Sequence, residues 1–203
     1  NQMSASLSEE HSLLEAWLHL TDRCNLRCAY CYLPHAVSDM SLNTGHAIIE
    51  ATFRSALKHG YRGIKFKYAG GEPLLRFSLI ETLHRYAREL ANKNNVQVDG
   101  VILSNGTLLT PEMIETIKCL ELKLMISLDG IGDAHDRQRF YPDGQGTFND
   151  VYRAIEMALS CDLIPQISIT VSHRNVDHLP ELVQWVLDKE LPFSINFYRE
   201  NIL

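Results

Sequence analysis

The chain of 203 residues is 45% hydrophobic and 22% charged, with 11 Gly and 7 Pro, the composition of an ordinary globular domain, which excludes disorder, collagen and low complexity. Its 19 Lys and Arg against 25 Asp and Glu give a net charge of −6, so no global positive field is available for a phosphate backbone and nucleic acid is not an expected partner. No apolar run approaches the roughly 18 residues of a membrane span, and Asn1 to Glu10 has neither a basic start nor an apolar core, so the protein reads as soluble and cytoplasmic, with no membrane partner.

In chain order, residues 1–13 read as an N-terminal extension and residues 14–203 as one core without an internal linker. A first strand is expected over Trp17 to Thr21. The first helix opens at Ser41, carries Leu42, Ile48, Ile49, Phe53, Ala56 and Leu57 on one face, and stops at Gly60. After a strand over Ile64 to Tyr68, Ser78 and Glu81 form a capping box for a second helix reaching about Leu90. A strand over Val98 to Leu103 precedes a third helix begun by Thr110 and Pro111, with Met113, Ile114, Ile117 and Leu120 on its face. Strands over Leu122 to Leu128, Gln166 to Val171 and Phe193 to Tyr198 enclose a fourth helix opened by Thr147 and a fifth marked by Leu179, Leu182, Val183 and Val186.

The strand starts from Ile64 to Phe193 lie about 32 residues apart, the length of a strand-helix repeat closed by right-handed crossovers. The expected fold is α/β: a partial (β/α)6 TIM-like barrel. A full eight-fold barrel would need about 250 residues. Ending at Leu203, before any sixth helix, the chain reads as a truncated barrel whose C-terminal region is absent.

In parallel α/β folds the loops after the carboxyl ends of the strands form the active face. After strand one comes Cys24-Asn25-Leu26-Arg27-Cys28-Ala29-Tyr30-Cys31, after strand two Gly70-Gly71-Glu72-Pro73, after strand three Ser104-Asn105-Gly106-Thr107, and at the end of strand four Ser127-Leu128-Asp129-Gly130. Three of the five cysteines fall within eight residues, too close for a disulfide framework, so a reducing compartment and a metal are indicated. Thiolate-rich ligation selects zinc or iron-sulfur. Zinc would want a fourth ligand, for which His35 and His19 are candidates, whereas an iron-sulfur cube on three cysteines keeps one iron open.

Cys24-x3-Cys28-x-Tyr30-Cys31 followed by Gly70-Gly71-Glu72-Pro73, with the Asn105 and Ser127 motifs at the next strand ends, resembles the radical S-adenosylmethionine (SAM) superfamily over Trp17 to Tyr198. The resemblance implies a [4Fe-4S] cluster on Cys24, Cys28 and Cys31 whose open iron binds SAM, and a 5'-deoxyadenosyl radical that abstracts hydrogen from substrate. It implies that Gly70 and Gly71 let the backbone pass close to the methionine moiety and that Glu72 accepts from its ammonium group. Glu72 as a solvated loop acid is the plainer alternative. Asn105 and Ser127 are implied contacts to the SAM ribose or carboxylate, or else a turn residue and a strand-end hydroxyl. Tyr30 lies near adenine or walls the loop. Arg139 reaches the SAM carboxylate or joins surface ion pairs, and Asp129 orients its loop. No catalytic acid or base is assigned.

Ser127 to Gly130, His135-Asp136-x-x-Arg139 and Gly144 to Phe148 together resemble the SPASM-type branch of peptide and protein maturases. That resemblance implies a precursor peptide or protein as substrate and an electron donor such as flavodoxin or ferredoxin. Sulfatase-maturating relatives commonly carry Gln where Ala69 stands, which favours a maturase of ribosomally made peptides over a formylglycine-forming enzyme. A non-catalytic zinc- or peptide-binding protein on the same scaffold remains a reading from another class. Cys119 and Cys161 read as buried inert thiols, His19 as a packed core histidine, and His11, His46, His59 and His84 as surface or loop residues.

Overall fold

Residues 13–198 are described by the computed structural model; residues 1–12 of the expected extension, His11 among them, and the end at Ile202 and Leu203 lie outside the described residues. Six parallel strands form one sheet in sequential order: β1 (Leu13–His19), β2 (Gly63–Ala69), β3 (Gln97–Ser104), β4 (Lys123–Ser127), β5 (Gln166–Val171) and β6 (Phe193–Phe197). The helices α1 (Leu42–His59), α2 (Phe77–Asn94), α3 (Pro111–Cys119), α4 (Asp133–Asp136), α5 (Phe148–Ser160) and α6 (Leu179–Asp188) complete the crossovers. This is the partial barrel that the strand-helix rhythm predicts. Among the described residues no helix is long and apolar enough to cross a membrane.

Alternation within the strands decides what each face becomes. In β2, Ile64, Phe66 and Tyr68 are fully buried under the helices, while Lys65 and Lys67 point to the other side. The helix-facing side is therefore a continuous core that includes Ile49, Phe53, Ile80, Leu83, Ile114, Ile126, Ile155, Ile169 and Leu182. Each such side chain contributes about 1.5 to 3 kcal/mol by leaving water. The opposite face carries Lys65, Lys67, Lys123, Gln166 and Ser168 among Trp17, Val101, Leu103 and Met125, and it lines a cavity.

Helix ends follow local chemistry where the sequence supplies it. The Ser41 hydroxyl accepts from Thr44 N at 3.0 Å to start α1, and Gly60 ends it with φ at +72°. Thr110 caps α3 through Met113 N. The capping box expected at Ser78 does not form. A 3-10 turn over Pro73–Arg76, capped by Glu72, leads directly into α2, so Ser78 already lies inside the helix and Arg76 holds the cap position. Likewise Thr147 makes no cap bond for α5; Asp136 Oδ1 replaces it, accepting from Thr147 N and Phe148 N at 2.7 and 2.8 Å. Strand β1 begins at Leu13, four residues before Trp17, because its register with Gly63 to Ala69 extends over all seven residues.

Four side chains depart from their expected places. His84 is buried, with its ring nitrogen 3.1 Å from the Tyr68 hydroxyl, because that face of α2 packs directly on the sheet. His19 is half exposed and hydrogen-bonded to Asp22 rather than packed in a core. Cys119, at the end of α3, is exposed, and Cys161, which closes α5, is only partly covered, since both stand at helix ends away from the sheet.

Burial holds two histidines neutral: the His84 pKa is pulled down to about 4 and that of His135, in α4, to about 3, desolvation being the leading cause in both. The unfolded chain binds protons on these rings below about 6.5 while the folded chain does not. Stability is therefore expected to be intact above pH 6.5 and to fall as pH drops toward 4, by about 1.4 kcal/mol per pH unit for each histidine. Urea midpoints measured between pH 7 and 4.5 check this; a flat profile would contradict it.

Candidate active site

The cysteine loop is fixed by backbone bonds before its thiols do anything. Leu20 N donates to Ala69 O, Gly71 N to Thr21 O at 2.7 Å and Glu72 N to Arg23 O at 2.8 Å, which seats the start of the loop on the end of β2. Further along, Arg27 N donates to Phe140 O and Ala29 N to Gln138 O, both at 2.8 Å, which seats its middle on the segment after α4. Its two ends are closed together by the Thr21 hydroxyl, which donates to Asp39 Oδ1, and by Arg23 and Arg76, which both pair with Asp39.

This seating explains the two glycines. A Cβ on Gly71 would stand 2.2 Å from Arg23 O, and one on Gly70 would stand 2.5 Å from Thr21 O. Gly70 also has φ at +153°. The collision that a side chain would cause here is therefore with the cysteine loop itself, a contact between two strand-end loops.

Glu72 is fully buried, so it is not a solvated loop acid. Its Oε1 accepts from Leu74 N at 3.0 Å and Ser104 Oγ at 2.8 Å, and its Oε2 from Asn105 N at 2.8 Å. The carboxylate thus ties the end of β2 to the end of β3. Burial pushes its pKa up, and the three donated bonds oppose that shift. Asn105 continues the chain of contacts: its Nδ2 donates to Asn25 Oδ1 at 2.9 Å, and its Oδ1 accepts from Thr107 N at 3.0 Å in an Asx turn. Asn25, inside the cysteine loop, in turn donates to Thr107 Oγ1.

At the end of β4, Asp129 is a buried hub. Its Oδ2 accepts from the Tyr30 hydroxyl and from Arg139 Nε, each at 2.6 Å, and its Oδ1 from Thr170 N at 2.7 Å. Arg139 is buried with it, and its guanidinium lies 5.4 Å from the centre of the Tyr30 ring, so a surface ion pair does not describe it. His135 Nδ1 accepts from Asp129 N, which leaves its Nε2–H to donate to Thr147 Oγ1. Asn175 Nδ2 donates to Asp129 O at 2.7 Å and completes the support from the loop after β5. Asp129 therefore orients its surroundings, as read from the sequence. The recruitment of His135, Thr147 and Asn175 was not legible there, since these partners lie 6, 18 and 46 residues beyond Asp129.

Above the strand ends lies a cavity of about 720 Å³. Its lining brings together Cys24, Cys28, Cys31, Tyr30, Gly70, Gly71, Asn105, Ser127 and Arg139; Glu72 sits beneath, outside the lining. Burial pushes the Cys24 thiol up to about 11 and raises that of Cys28 as well, so ligation there must displace protons. Among the described residues no three His, Cys, Asp or Glu side chains are gathered closely enough to share one metal ion. A tetrahedral zinc, with its sulfurs about 2.3 Å from the metal, needs such a gathering. A cube takes one thiolate per iron, and the three thiols on one wall supply donors of that kind. His35 lines the same cavity, but its ring faces the Arg27 guanidinium at 3.5 Å.

Comparison with known proteins decides between these chemistries. A sequence model described as the Radical SAM superfamily matches residues 18–186. The chain belongs to the radical SAM superfamily. An uncharacterised protein, MJ0907, of Methanocaldococcus jannaschii is 32% identical over 171 residues, covering 84% of this chain and 57% of the relative. GTP 3',8-cyclase of Desulforamulus reducens is 29% identical over 189 residues, covering 89% and 53%. Among solved structures, native anSMEcpe with bound AdoMet and Kp18Cys peptide superposes with a TM-score of 0.82 at 21% identity, over 92% of this chain and 52% of that one, a likeness of fold. The chain thus spans about half the length of these relatives. As a radical SAM protein it uses a [4Fe-4S] cluster and SAM, and the three-thiol wall of the cavity has the donor chemistry for the cluster.

Proposed function

We propose that Cys24, Cys28 and Cys31 hold the cluster, that SAM lies along Gly70, Gly71, Asn105, Ser127 and Arg139, and that the protein matures a peptide. One observation carries the placement: the three thiols and these five residues, from four strand-end loops, line one cavity. When bound, the cluster supplies the electron that cleaves the sulfonium of SAM, yielding the 5'-deoxyadenosyl radical that takes hydrogen from substrate. The chain's own residues bind, orient and shield. Gly70 and Gly71 bring backbone to the cavity wall, Asn105 and Ser127 offer neutral polar groups, and Tyr30 is held still by its bond to Asp129. Glu72 acts from below, by holding Asn105 and the glycine turn in place. Cys31 is exposed, which suits reduction by a docked one-electron carrier such as flavodoxin or ferredoxin.

The wall below this region mixes apolar side chains, Trp17, Val101, Leu103 and Met125, with polar and charged ones. Lys65, Lys67, Lys123, Gln166, Ser168, Ser194 and Asn196 line the same cavity, groups that suit a substrate rich in amides and charge. The maturase-like run from Ser127 to Phe148 and the fold shared with a peptide-bound structure support a peptide. Ala69 before the glycine pair favours a ribosomal peptide over a sulfatase. The likeness to a GTP cyclase favours a second reading, a small polar metabolite. The test is mass spectrometry of candidate precursor peptides incubated with full-length enzyme, SAM and reductant. A small defined mass change, such as the loss of two hydrogens, is expected. Turnover of a free metabolite with every peptide unchanged would overturn the peptide reading alone.

A further inference from the structure

The sulfurs of Cys24 and Cys28 are served by different donors. Leu26 N–H reaches Cys24 Sγ at 3.4 Å, and Asn105 Nδ2 stands 4.0 Å from the same sulfur; both are neutral groups. Cys28 Sγ instead faces a guanidinium, with Arg139 Nη1 3.9 Å away. That guanidinium is held on its other sides. Its Nε donates to Asp129 Oδ2 at 2.6 Å, its central carbon lies 5.4 Å from the centre of the Tyr30 ring, and the side chain is only 9% exposed. Asp129 itself is locked by the Tyr30 hydroxyl and Thr170 N. An arginine 111 residues from Cys28 is thus fixed with one N–H edge toward that sulfur.

We infer that Arg139 is a positioning residue for the cluster: its guanidinium donates to the Cys28 thiolate and raises the reduction potential of the cluster held there. Hydrogen bonds to cluster sulfurs and nearby charge set such potentials. Adding an electron makes the cluster more negative, so a donor and a cation at its edge favour the reduced form, and burial keeps that interaction from being screened. Asp129 neutralises the guanidinium overall but sits at its Nε side, so the positive end of the pair faces Cys28. Arginine suits the task because it stays charged and presents several N–H groups in a fixed fork, one for Asp129 and one for sulfur. This inference rests on the assignment of the cluster to Cys24, Cys28 and Cys31. A contact from Arg139 to the SAM carboxylate would act only with SAM present, so measurement without SAM separates the two roles.

The test is an EPR-monitored redox titration of the reconstituted, SAM-free chain beside Arg139→Gln and Arg139→Lys, with iron and sulfide counted in each. In Arg139→Gln the ratio of reduced to oxidised cluster at a given applied potential is expected to fall at least tenfold, a shift of 59 mV to more negative potential for a one-electron couple. Arg139→Lys, which keeps the charge but loses the fork, is expected to fall less. An iron-loaded Arg139→Gln whose potential matches the parent would overturn the inference. Should Arg139→Gln fail to hold iron, pulsed EPR on the parent chain carrying 15N-labelled arginine decides. Hyperfine coupling to a labelled arginine side chain, lost in Arg139→Lys, is expected, and no coupling would overturn the inference. A parent chain that takes up no iron-sulfur cluster would overturn the cluster assignment, and this inference with it.

Discussion

Replacing Cys24, Cys28 and Cys31 together with alanine is expected to reduce bound iron and sulfide to background, while the urea midpoint of the cofactor-free chain moves little. The first expectation follows from the donor set: these are the three cysteines on the cavity wall, and Cys119 and Cys161 lie at the ends of α3 and α5. The second follows from how the loop is held. Backbone bonds from Gly71, Glu72, Arg27 and Ala29 seat it, together with the bond from Thr21 to Asp39, and no thiol takes part in these contacts. Cys31 is already exposed and the other two are half-buried, so truncation costs much less than the 2 to 5 kcal/mol typical of emptying a core site. Metal analysis and the visible absorption of anaerobically reconstituted protein check the first part, and denaturation of the apo forms the second. A triple variant that still turns brown would place the cluster elsewhere.

Replacing Glu72 with alanine is expected to destabilise the apo chain by about 3 kcal/mol or more, because three buried donors lose their acceptor and each such loss costs about 1 to 3 kcal/mol. The donors are Leu74 N, Ser104 Oγ and Asn105 N; the Ser104 hydroxyl can turn to a new partner, but the two backbone groups cannot. The ends of β2 and β3 should separate, and SAM binding should fall with them. Glu72→Gln keeps one acceptor oxygen and should lie between. A side chain that served only to receive the ammonium of SAM would leave the apo chain as stable as before. Equilibrium unfolding of the apo forms therefore separates the two roles, and a change below about 1 kcal/mol would remove Glu72 from the frame of the site.

What the residues reveal on inspection, and what they conceal, divides along physical lines. Alternation in Ile64 to Tyr68, the Ser41 and Gly60 signals around α1, and the Thr110-Pro111 start of α3 are local, and the fold realises each of them. The start of β1 was hidden because Leu13 to Ala16 alternates weakly on its own and gains its strand character from pairing with β2. Ser78 misled because capping depends on where the preceding turn delivers the chain. The strand-end motifs were legible as a set, since their order along the chain places them on one face. Their internal wiring was not: the bonds from Glu72 to Asn105, from Asp129 to Tyr30 and Thr170, and from Asn25 to Thr107 span 33 to 99 residues. The backbone contact that forbids a side chain at Gly71 likewise involves a loop nearly fifty residues earlier in the chain.

Whether Cys24, Cys28 and Cys31 hold a cluster that cleaves SAM is tested by anaerobic reconstitution of the chain, followed by iron, sulfide and zinc analysis and by quantification of 5'-deoxyadenosine and methionine after addition of SAM and a strong reductant. Four irons and four sulfides per chain are expected, as one cube requires, with formation of both SAM cleavage products, lost in the triple cysteine variant. One zinc per chain, no brown chromophore and intact SAM would contradict that assignment.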